Sequence, residues 1–200
     1  MIQTIEQLRG LYAPAKERAV KKQLSALDVH CQRFVGLSPF VVISSFGLDH
    51  MLDASPRGGA PGFIKVVDAH TLLIPDSPGN NRLDTLENII YTGKLGMLFL
   101  IPGMDETLRV NGTASLSDDA ADLALCTTEV RAPKLVIKVN VVQAYLHCAK
   151  AFMRSKLWDM QSHIERSLMP SMGDMINEQA RMTTPSETQE EMMARYRAEL

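Results

Sequence analysis

The sequence predicts an α+β protein, in which antiparallel strands fill the middle of the chain and helices cover its two ends. Three observations predict this class. From Ser38 onward, short β-rich runs end at glycines and prolines. The links between paired runs are too short for the crossover that parallel strands require. Before these runs, apolar residues recur at the three- and four-residue spacing of a helix, and a capping sequence near the end predicts another helix. A small barrel is the most natural arrangement of such strands.

One apolar stripe defines the N-terminal helical region. Pro14 suits the first turn of a helix. The stripe that follows it is most simply a surface that faces the core, and its members are Val20, Leu24, Leu27, Cys31 and Phe34.

Six runs are predicted as strands, and four of them form two hairpins. The runs "GFIKVV" and "TLLIP" flank the short polar link "DAH", which predicts the first hairpin. The second hairpin is "GMLFLIPGMDETLRVNG", with Pro102 and Gly103 at its turn. Leu108 and Val110 alternate there with polar residues, which is the period of a half-buried strand. The other strands are "FVVISSFG" and "KLVIKVNVV", and one face of the latter carries Leu135, Ile137, Val139 and Val141.

Helices are predicted between the strands and after them. The predicted segments are "RLDTLENIIY", "DDAADLALCTT", "CAKAFMRSKLWDM" and "PSETQEEMMARYRAEL". In the last segment Ser186 and Gln189 are spaced as a capping box. We expect one domain over residues 1–200, with N-terminal helices over 1–37, a barrel core over 38–146 and C-terminal helices over 147–200.

Composition excludes several classes of partner. The net charge of -2 provides no broad basic field, so we expect no nucleic-acid partner. No segment approaches the ~20 apolar residues that cross a bilayer, and the first residues do not resemble a secretory signal. Three widely spaced cysteines indicate reduced thiols in a cytoplasm. The histidines and cysteines lack the spacing of metal ligands, so we expect no metal site.

The segment "DSPGNNRLDTLENI" combines a turn with the start of a helix. Pro75 and Pro78 end the preceding strand. The helix N-terminus offers unpaired N–H groups and a partial positive charge, which suit a bound anion. Arg82 adds donors that match phosphate oxygens, and Lys65 can add a charge if its hairpin folds back.

Two other roles remain open for the same segment. Asn80, Asn81 or Asp84 can each cap the helix through its side-chain oxygen. The whole segment can also be a plain turn followed by a solvated arginine, because short motifs of this kind often occur without a ligand.

Two longer segments resemble a known family. The first is "SPRGGAPGFIKVVDAHTLLIPDSPGNNRLDTLENI" and its continuation "LGMLFLIPGMDETLRVNGTASLS". The second, "HCAKAFMRSKLW", is similar to a bacterial subfamily of the same group. Together they resemble the pyridoxamine 5'-phosphate oxidase-related FMN-binding split barrels over most of residues 38–158. The resemblance implies a six-stranded antiparallel split β-barrel with flanking N- and C-terminal helices, and a homodimer with FMN at the subunit interface.

The resemblance also implies which residues contact the cofactor. Lys65, Asn81 and Arg82 stand where family members contact the FMN phosphate, and Thr107 stands where the oxidase has a glutamine near the flavin ring. Lys150 and Arg154 are one helical turn apart, a spacing from which they can reach the partner subunit's cofactor. The full set of expected cofactor contacts is Arg57, Phe63, Ile64, Lys65, Pro75, Asp76, Asn80, Asn81, Arg82, Thr107, Lys150 and Arg154.

The C-terminal segment departs from the family's named enzyme. The oxidase that processes pyridoxamine phosphate ends in a segment with tryptophan and arginine, whereas the only tryptophan here, Trp158, comes well before the end. We therefore expect an FMN-dependent oxidoreductase that acts on another small molecule, and no catalytic residue is identified. The alternatives are a flavin-binding carrier or sensor without turnover and, below it, a split barrel that binds haem or a deazaflavin.

Overall fold

The computed structural model describes residues 1–77, 79–128 and 132–199. Pro78, which we expected to help end a strand, lies outside the described residues. The chain divides into two compact units, Met1–Trp158 and Asp159–Leu200. The expectation of one domain over the whole chain stays a prediction.

The first unit contains all seven described strands and six helices. The strands are β1 (Phe40–Phe46), β2 (Leu52–Gly58), β3 (Lys65–Val66), β4 (Thr71–Pro75), β5 (Lys94–Leu100), β6 (Thr107–Ser117) and β7 (Val136–His147). The helices are α1 (Ile5–Arg9), α2 (Glu17–Lys21), α3 (Val29–Leu37), α4 (Asp84–Thr92), α5 (Ala120–Cys126) and α6 (Lys150–Ser155).

The strands form one antiparallel sheet in the order β2-β1-β5-β6-β7-β4-β3. Apolar side chains from five of these strands meet in one core with α3 and α4, because alternate residues of each strand face the same side. Ile137, Val139 and Val141 of β7 are buried in this core, as the alternation predicted. The predicted α+β class with an antiparallel sheet is confirmed.

The predicted number of six strands is wrong, because the described sheet has seven. The additional strand is β2, which pairs with β1 along its whole length. Asp53, Ser55 and Arg57 alternate with more exposed residues in β2, so the strand has the expected period of two. Its polar and proline-containing sequence concealed that period, since such residues are rare in strands.

The N-terminal apolar stripe does not form one helix. Helix α2 ends at Lys21, and α3 begins at Val29 after Asp28, whose side chain accepts a hydrogen bond from the Cys31 N–H at 2.8 Å. Between them Leu24 exchanges two backbone hydrogen bonds with Ala144 of β7, each 2.9 Å long. The later half of the stripe packs in the core as predicted.

A β-bulge interrupts the long pairing of β6 with β7. Asn111 lies opposite Gln143, whereas the next residue, Gly112, lies opposite Val141, so Val142 has no partner. The extra residue shifts the alternation of β7, whose core-facing positions pass from odd to even numbers. Gly112 is required here because a β-carbon would overlap the carbonyl oxygen of Asn140.

The second unit contains two short 3-10 turns and two helices, α7 (Met172–Ala180) and α8 (Gln189–Glu199). The predicted capping box of Ser186 and Gln189 is wrong. Thr188 Oγ1 instead accepts a hydrogen bond from the Glu191 N–H at 3.2 Å, and Glu191 Oε2 accepts one from the Thr188 N–H at 2.9 Å. The helix begins later than predicted because a carboxylate accepts these hydrogen bonds more strongly than an amide.

The bulge predicts a specific sensitivity to substitution at Gly112. We expect Gly112→Ala to lower the free energy of unfolding by about 2–3 kcal/mol, because the added methyl group forces the two strands apart. Urea denaturation followed by far-UV circular dichroism measures this change. Gly36→Ala, in α3, is the matched control, since a β-carbon there meets no atom within 4 Å. Equal stability of the two variants would contradict the close approach at the bulge.

Candidate functional site

A cleft of about 1020 Å³ lies beside the turn that precedes α4. Three pieces of chain and the single residue Phe63 line it. The three pieces are the end of β2, the segment from the end of β4 into α4, and the segment before β7. In the described chain the lining residues are Phe63 and residues 55–58, 75–77, 79–86 and 132–135.

Strand pairing brings these pieces together. Pro75 at the end of β4 lies opposite Val136 at the start of β7, and the Asp76 N–H donates to the Leu135 carbonyl oxygen at 3.0 Å. The segments on either side of this pairing must therefore leave the sheet side by side. Helix α4 covers the opposite wall by packing Leu86 and Ile89 into the core.

The turn before α4 has an unusual backbone. Asn81 and Leu83 both have positive φ angles, 59° and 61°, a region that residues other than glycine rarely adopt. Asn80 Oδ1 accepts a hydrogen bond from the Arg82 N–H at 3.1 Å, which closes a small turn. Leu83 is the N-cap residue and provides no side-chain cap. The prediction that Asn80, Asn81 or Asp84 caps the helix is therefore wrong, since the turn itself uses Asn80.

Arg82 lies on the exposed rim of the cleft. Its Nε donates to Asp84 Oδ2 at 2.8 Å, and the Arg82 side chain is 73% exposed. The Asp84 carboxylate raises the pKa of the Arg82 guanidinium, with a smaller contribution from the charge of Asp53. Exposed ion pairs contribute little stability, so a phosphate group can replace Asp84 as the partner of Arg82 at low cost.

Arg57 lies deeper, against a set of buried hydroxyl groups. Its Nη1 donates to the Pro56 carbonyl oxygen at 2.9 Å, and its Nη2 is 3.4 Å from Thr85 Oγ1. Thr85 is only 3% exposed and donates to Asp53 Oδ2 at 2.6 Å. Arg57 is thus attached to the wall of the cleft and does not extend freely into solvent.

Asp76 is half-buried in the floor of the cleft. Burial raises the pKa of its carboxyl group, and the positive charges of Arg57 and Lys134 partly oppose that rise. All three of these residues line the cleft. The three cations Arg57, Arg82 and Lys134 outnumber the carboxylates of Asp76 and Asp84 among the described lining residues.

Seven of the expected cofactor contacts meet in the cleft. They are Arg57, Phe63, Pro75, Asp76, Asn80, Asn81 and Arg82. Among the described residues, the other five do not line it, and their contacts with a cofactor stay predictions. Ile64 is buried in the core, 2% exposed, and Lys65 Nζ donates to the Gly62 carbonyl oxygen at 3.0 Å.

The remaining expected contacts lie on other elements. Thr107 is buried at the first position of β6, opposite His147 of β7. Lys150 and Arg154 are exposed on α6.

Sequence reasoning missed Ser55, Thr85 and Lys134, which also line the cleft. Ser55 was missed because β2 was not predicted as a strand, although the alternation of Asp53, Ser55 and Arg57 was a usable signal. Thr85 was included in the predicted helix without a role. Lys134 stands at the predicted start of β7, and only the pairing of β7 with β4 brings it beside the cleft.

In residues 1–77, 79–128 and 132–199, no group of three histidine, cysteine, aspartate or glutamate side chains is arranged to hold a metal ion. Within the same ranges, no helix has both the length and the apolar composition needed to span a membrane.

The fold and the sequence identify the family. The model of the pyridoxamine 5'-phosphate oxidase family matches residues 27–148, which is more than half of the chain. The protein belongs to this family, as its sequence predicted, and the split-barrel fold follows. No protein of curated function shows significant sequence similarity to the chain.

Two solved structures match about three fifths of this chain. A variant of HupZ from Group A Streptococcus is 14% identical, with a TM-score of 0.50, and the match covers 60% of this chain and 98% of that chain. General stress protein 26 from Bacillus anthracis is also 14% identical, with a TM-score of 0.44, and the match covers 59% and 94% of the two chains.

Asp76 predicts a pH dependence of stability. Burial raises the pKa of its carboxyl group above the unfolded value, so the folded chain holds this proton more tightly. The folded chain therefore loses stability as pH rises from the unfolded pKa through the folded pKa. We therefore expect Asp76→Asn to be more stable than the wild type at pH 7, with the gain shrinking as pH falls to the ordinary pKa of aspartate. Urea denaturation between pH 3 and pH 7 measures it.

The control for Asp76→Asn is Asp118→Asn, which removes one negative charge from an exposed aspartate. A stability gain at pH 7 that is equal in the two variants would assign the effect to net charge and not to burial of Asp76.

Proposed function

We propose that the cleft binds FMN and that the protein is an FMN-dependent oxidoreductase that acts on a small molecule. The observation that carries this proposal is the meeting of Arg57, Arg82 and Lys134 around one cleft that also has apolar walls. FMN combines a phosphate with a flat, largely apolar ring system, so it requires both kinds of surface in one site.

The residues present fit the two ends of FMN. Phe63, Leu83, Leu86 and Leu135 provide apolar surface, and the volume of about 1020 Å³ is at the upper end of cofactor and ligand sites. At the rim, Arg82 stands beside the first turn of α4, whose N–H groups have no side-chain cap. Unpaired N–H groups at a helix N-terminus, together with a guanidinium, form a suitable site for a phosphate.

The protein residues and the cofactor have separate tasks in this proposal. Bound FMN would supply the redox chemistry, taking two electrons from a donor and passing them to an acceptor. Arg82 and the start of α4 would bind the phosphate, and Arg57 would fix the orientation of the cofactor through its remaining N–H donors. The apolar walls would exclude water from the ring.

We also propose a homodimeric assembly and a cytoplasmic location. The protein would act as a homodimer with the cofactor at the subunit interface, where Lys150 and Arg154 would reach the partner subunit's FMN. Light scattering on the purified protein tests the dimer. A reducing cytoplasm suits the chain, because Cys31, Cys126 and Cys148 are free thiols.

Arg82→Ala tests the phosphate assignment. We expect the Kd for FMN to rise by about 10- to 150-fold, which corresponds to the ~1.5–3 kcal/mol of a hydrogen bond to a charged group. Quenching of flavin fluorescence measures this Kd. Riboflavin lacks the phosphate, so its Kd should be the same for the variant and the wild type. Arg33→Ala, which removes an exposed arginine from α3, is the control for loss of positive charge.

Two outcomes would contradict the proposal at different levels. An unchanged Kd for FMN in a folded Arg82→Ala protein would remove Arg82 from the site. A purified protein without the visible absorption of flavin, which also fails to take up added FMN, would overturn the cofactor itself. Mass spectrometry of the released chromophore identifies what is bound.

Reduction kinetics separate an enzyme from a flavin carrier. An oxidoreductase should show bleaching of the flavin absorption when it is mixed with NADH, NADPH or another member of a donor panel, and reoxidation by an acceptor. If no donor reduces the bound flavin, the alternative of a carrier or sensor without turnover replaces the enzyme.

A further inference from the structure

A row of polar side chains connects the cleft with the space beneath α4. Asp53, Ser55 and Arg57 are alternate residues of β2, so their side chains share one face of the strand. Helix α4 presents Thr85 to this row, and both Thr85 and Ser45 are 3% exposed. The partners of the row are therefore shielded from water, whereas Asp53, Ser55 and Arg57 are themselves partly exposed.

The Asp53 carboxylate accepts hydrogen bonds from three hydroxyl groups. Thr85 Oγ1 donates to Oδ2 at 2.6 Å, Ser45 Oγ donates to the same oxygen at 3.2 Å, and Ser55 Oγ donates to Oδ1 at 2.9 Å. A hydroxyl group has one hydrogen, and an ionised carboxylate can only accept. Thr85 Oγ1 also lies 3.2 Å from Ser55 Oγ. Because the charged carboxylate is the stronger acceptor, each of these hydroxyl groups directs its hydrogen at Asp53 and offers only lone pairs to its other neighbours.

The groups that contact the Ser45 and Thr85 hydroxyl oxygens are N–H donors, as this arrangement requires. Asn88 Nδ2 donates to Ser45 Oγ at 3.0 Å. On the side of the cleft, Arg57 Nη2 donates to Thr85 Oγ1 at 3.4 Å, while Nη1 of the same guanidinium donates to the Pro56 carbonyl oxygen. Two contacts through different nitrogens limit rotation of the guanidinium, and its other N–H groups remain for a ligand.

We propose that Asp53 and Thr85 are positioning residues of the cofactor cleft, which hold the Arg57 guanidinium in the orientation that receives the anionic part of the ligand. Asp53 polarises the Thr85 hydroxyl, and Thr85 in turn accepts from Arg57. Neither residue needs to touch the ligand. The identity of the ligand in this inference rests on the proposed function. The hydrogen bonds that orient Arg57 do not depend on it.

If Asp53 acts by positioning Arg57, removal of its charge should change the affinity for a phosphate in the direction opposite to that expected from charge repulsion alone. The carboxylate lies close enough to influence Arg82, so by Coulomb repulsion alone its removal should tighten the binding of a phosphate. If Asp53 acts by orienting Thr85, its removal should weaken binding. In Asp53→Asn the amide can donate to the hydroxyl groups, which allows the Thr85 hydrogen to turn toward Arg57 and break that contact.

FMN affinity tests this difference. We expect Thr85→Val to raise the Kd for FMN by about 5- to 10-fold, the range of one lost hydrogen bond, and Thr85→Ser, which keeps the hydroxyl, to stay within about twofold. Asp53→Asn should also raise the Kd. In the Arg57→Ala background, Thr85→Val should cause no further rise, because Thr85 acts through Arg57. Tighter binding by Asp53→Asn, or an equal loss for Thr85→Val in both backgrounds, would overturn the proposal.

A second measurement needs no cofactor and separates this inference from the proposed function. Phenylglyoxal modifies accessible arginines, and mass spectrometry of the digested protein reports the rate at each site. Arg57 should react several-fold faster in Thr85→Val than in the wild type or in Thr85→Ser, while Arg33 reacts at one rate in all three proteins. Equal rates at Arg57 would overturn the proposal. A wild type that binds no FMN, but shows faster reaction at Arg57 in Thr85→Val, would refute only the cofactor assignment.

Discussion

The double pairing of β7 is the constraint on which the rest of the structure depends. This strand bonds to β6 along one edge and to β4 along the other, so it fixes the end of β4 relative to the centre of the sheet. The turn after Pro75 then has to leave the sheet beside the segment that enters β7, and the cleft forms between them. The bulge at Gly112 allows the pairing to continue past a change in alternation. A site between loops is thereby held by backbone hydrogen bonds, which are less variable than loop contacts.

Side chains of both charge signs line the cleft, and this mixture suits the proposed binding of an anion. Arg57 and Arg82 each have a polar partner within the protein, so each guanidinium is partly paired before any ligand binds. The Asp76 carboxylate partly offsets the positive charges of Arg57 and Lys134. In the proposed site, an anion would become a partner of the exposed Arg82 and would leave the contacts of Arg57 with Pro56 and Thr85 in place. In the free protein, the two carboxylates reduce the repulsion among the three cations.

The sequence predicted most of the fold because its strong signals are local. Runs of β-forming residues located six strands, and alternation located the buried face of β7. The family resemblance located seven residues that line one cleft. Most of the misses share a cause, since a tertiary contact overrides a local pattern, whereas at Asn80 one local interaction replaces another. Strand β2 is polar because its Asp53 accepts hydrogen bonds from Ser45 of β1 and Thr85 of α4. Leu24 leaves the helical stripe to bond with Ala144. Asn80 closes a turn and does not cap the helix. Lys134 reaches the cleft only through strand order, which periodicity does not encode.

Strand β2 lies at an edge of the sheet and pairs, among the described strands, only with β1. An open edge can recruit a strand from another molecule, which is the first step of many aggregation reactions. Pro56 lacks an N–H group, and the charges of Asp53 and Arg57 oppose stacking of a second strand beside them. The residues that shape the cleft thus also disfavour the pairing of another strand along this edge. Evolution of this site toward an apolar ligand would have to find another protection for the same edge.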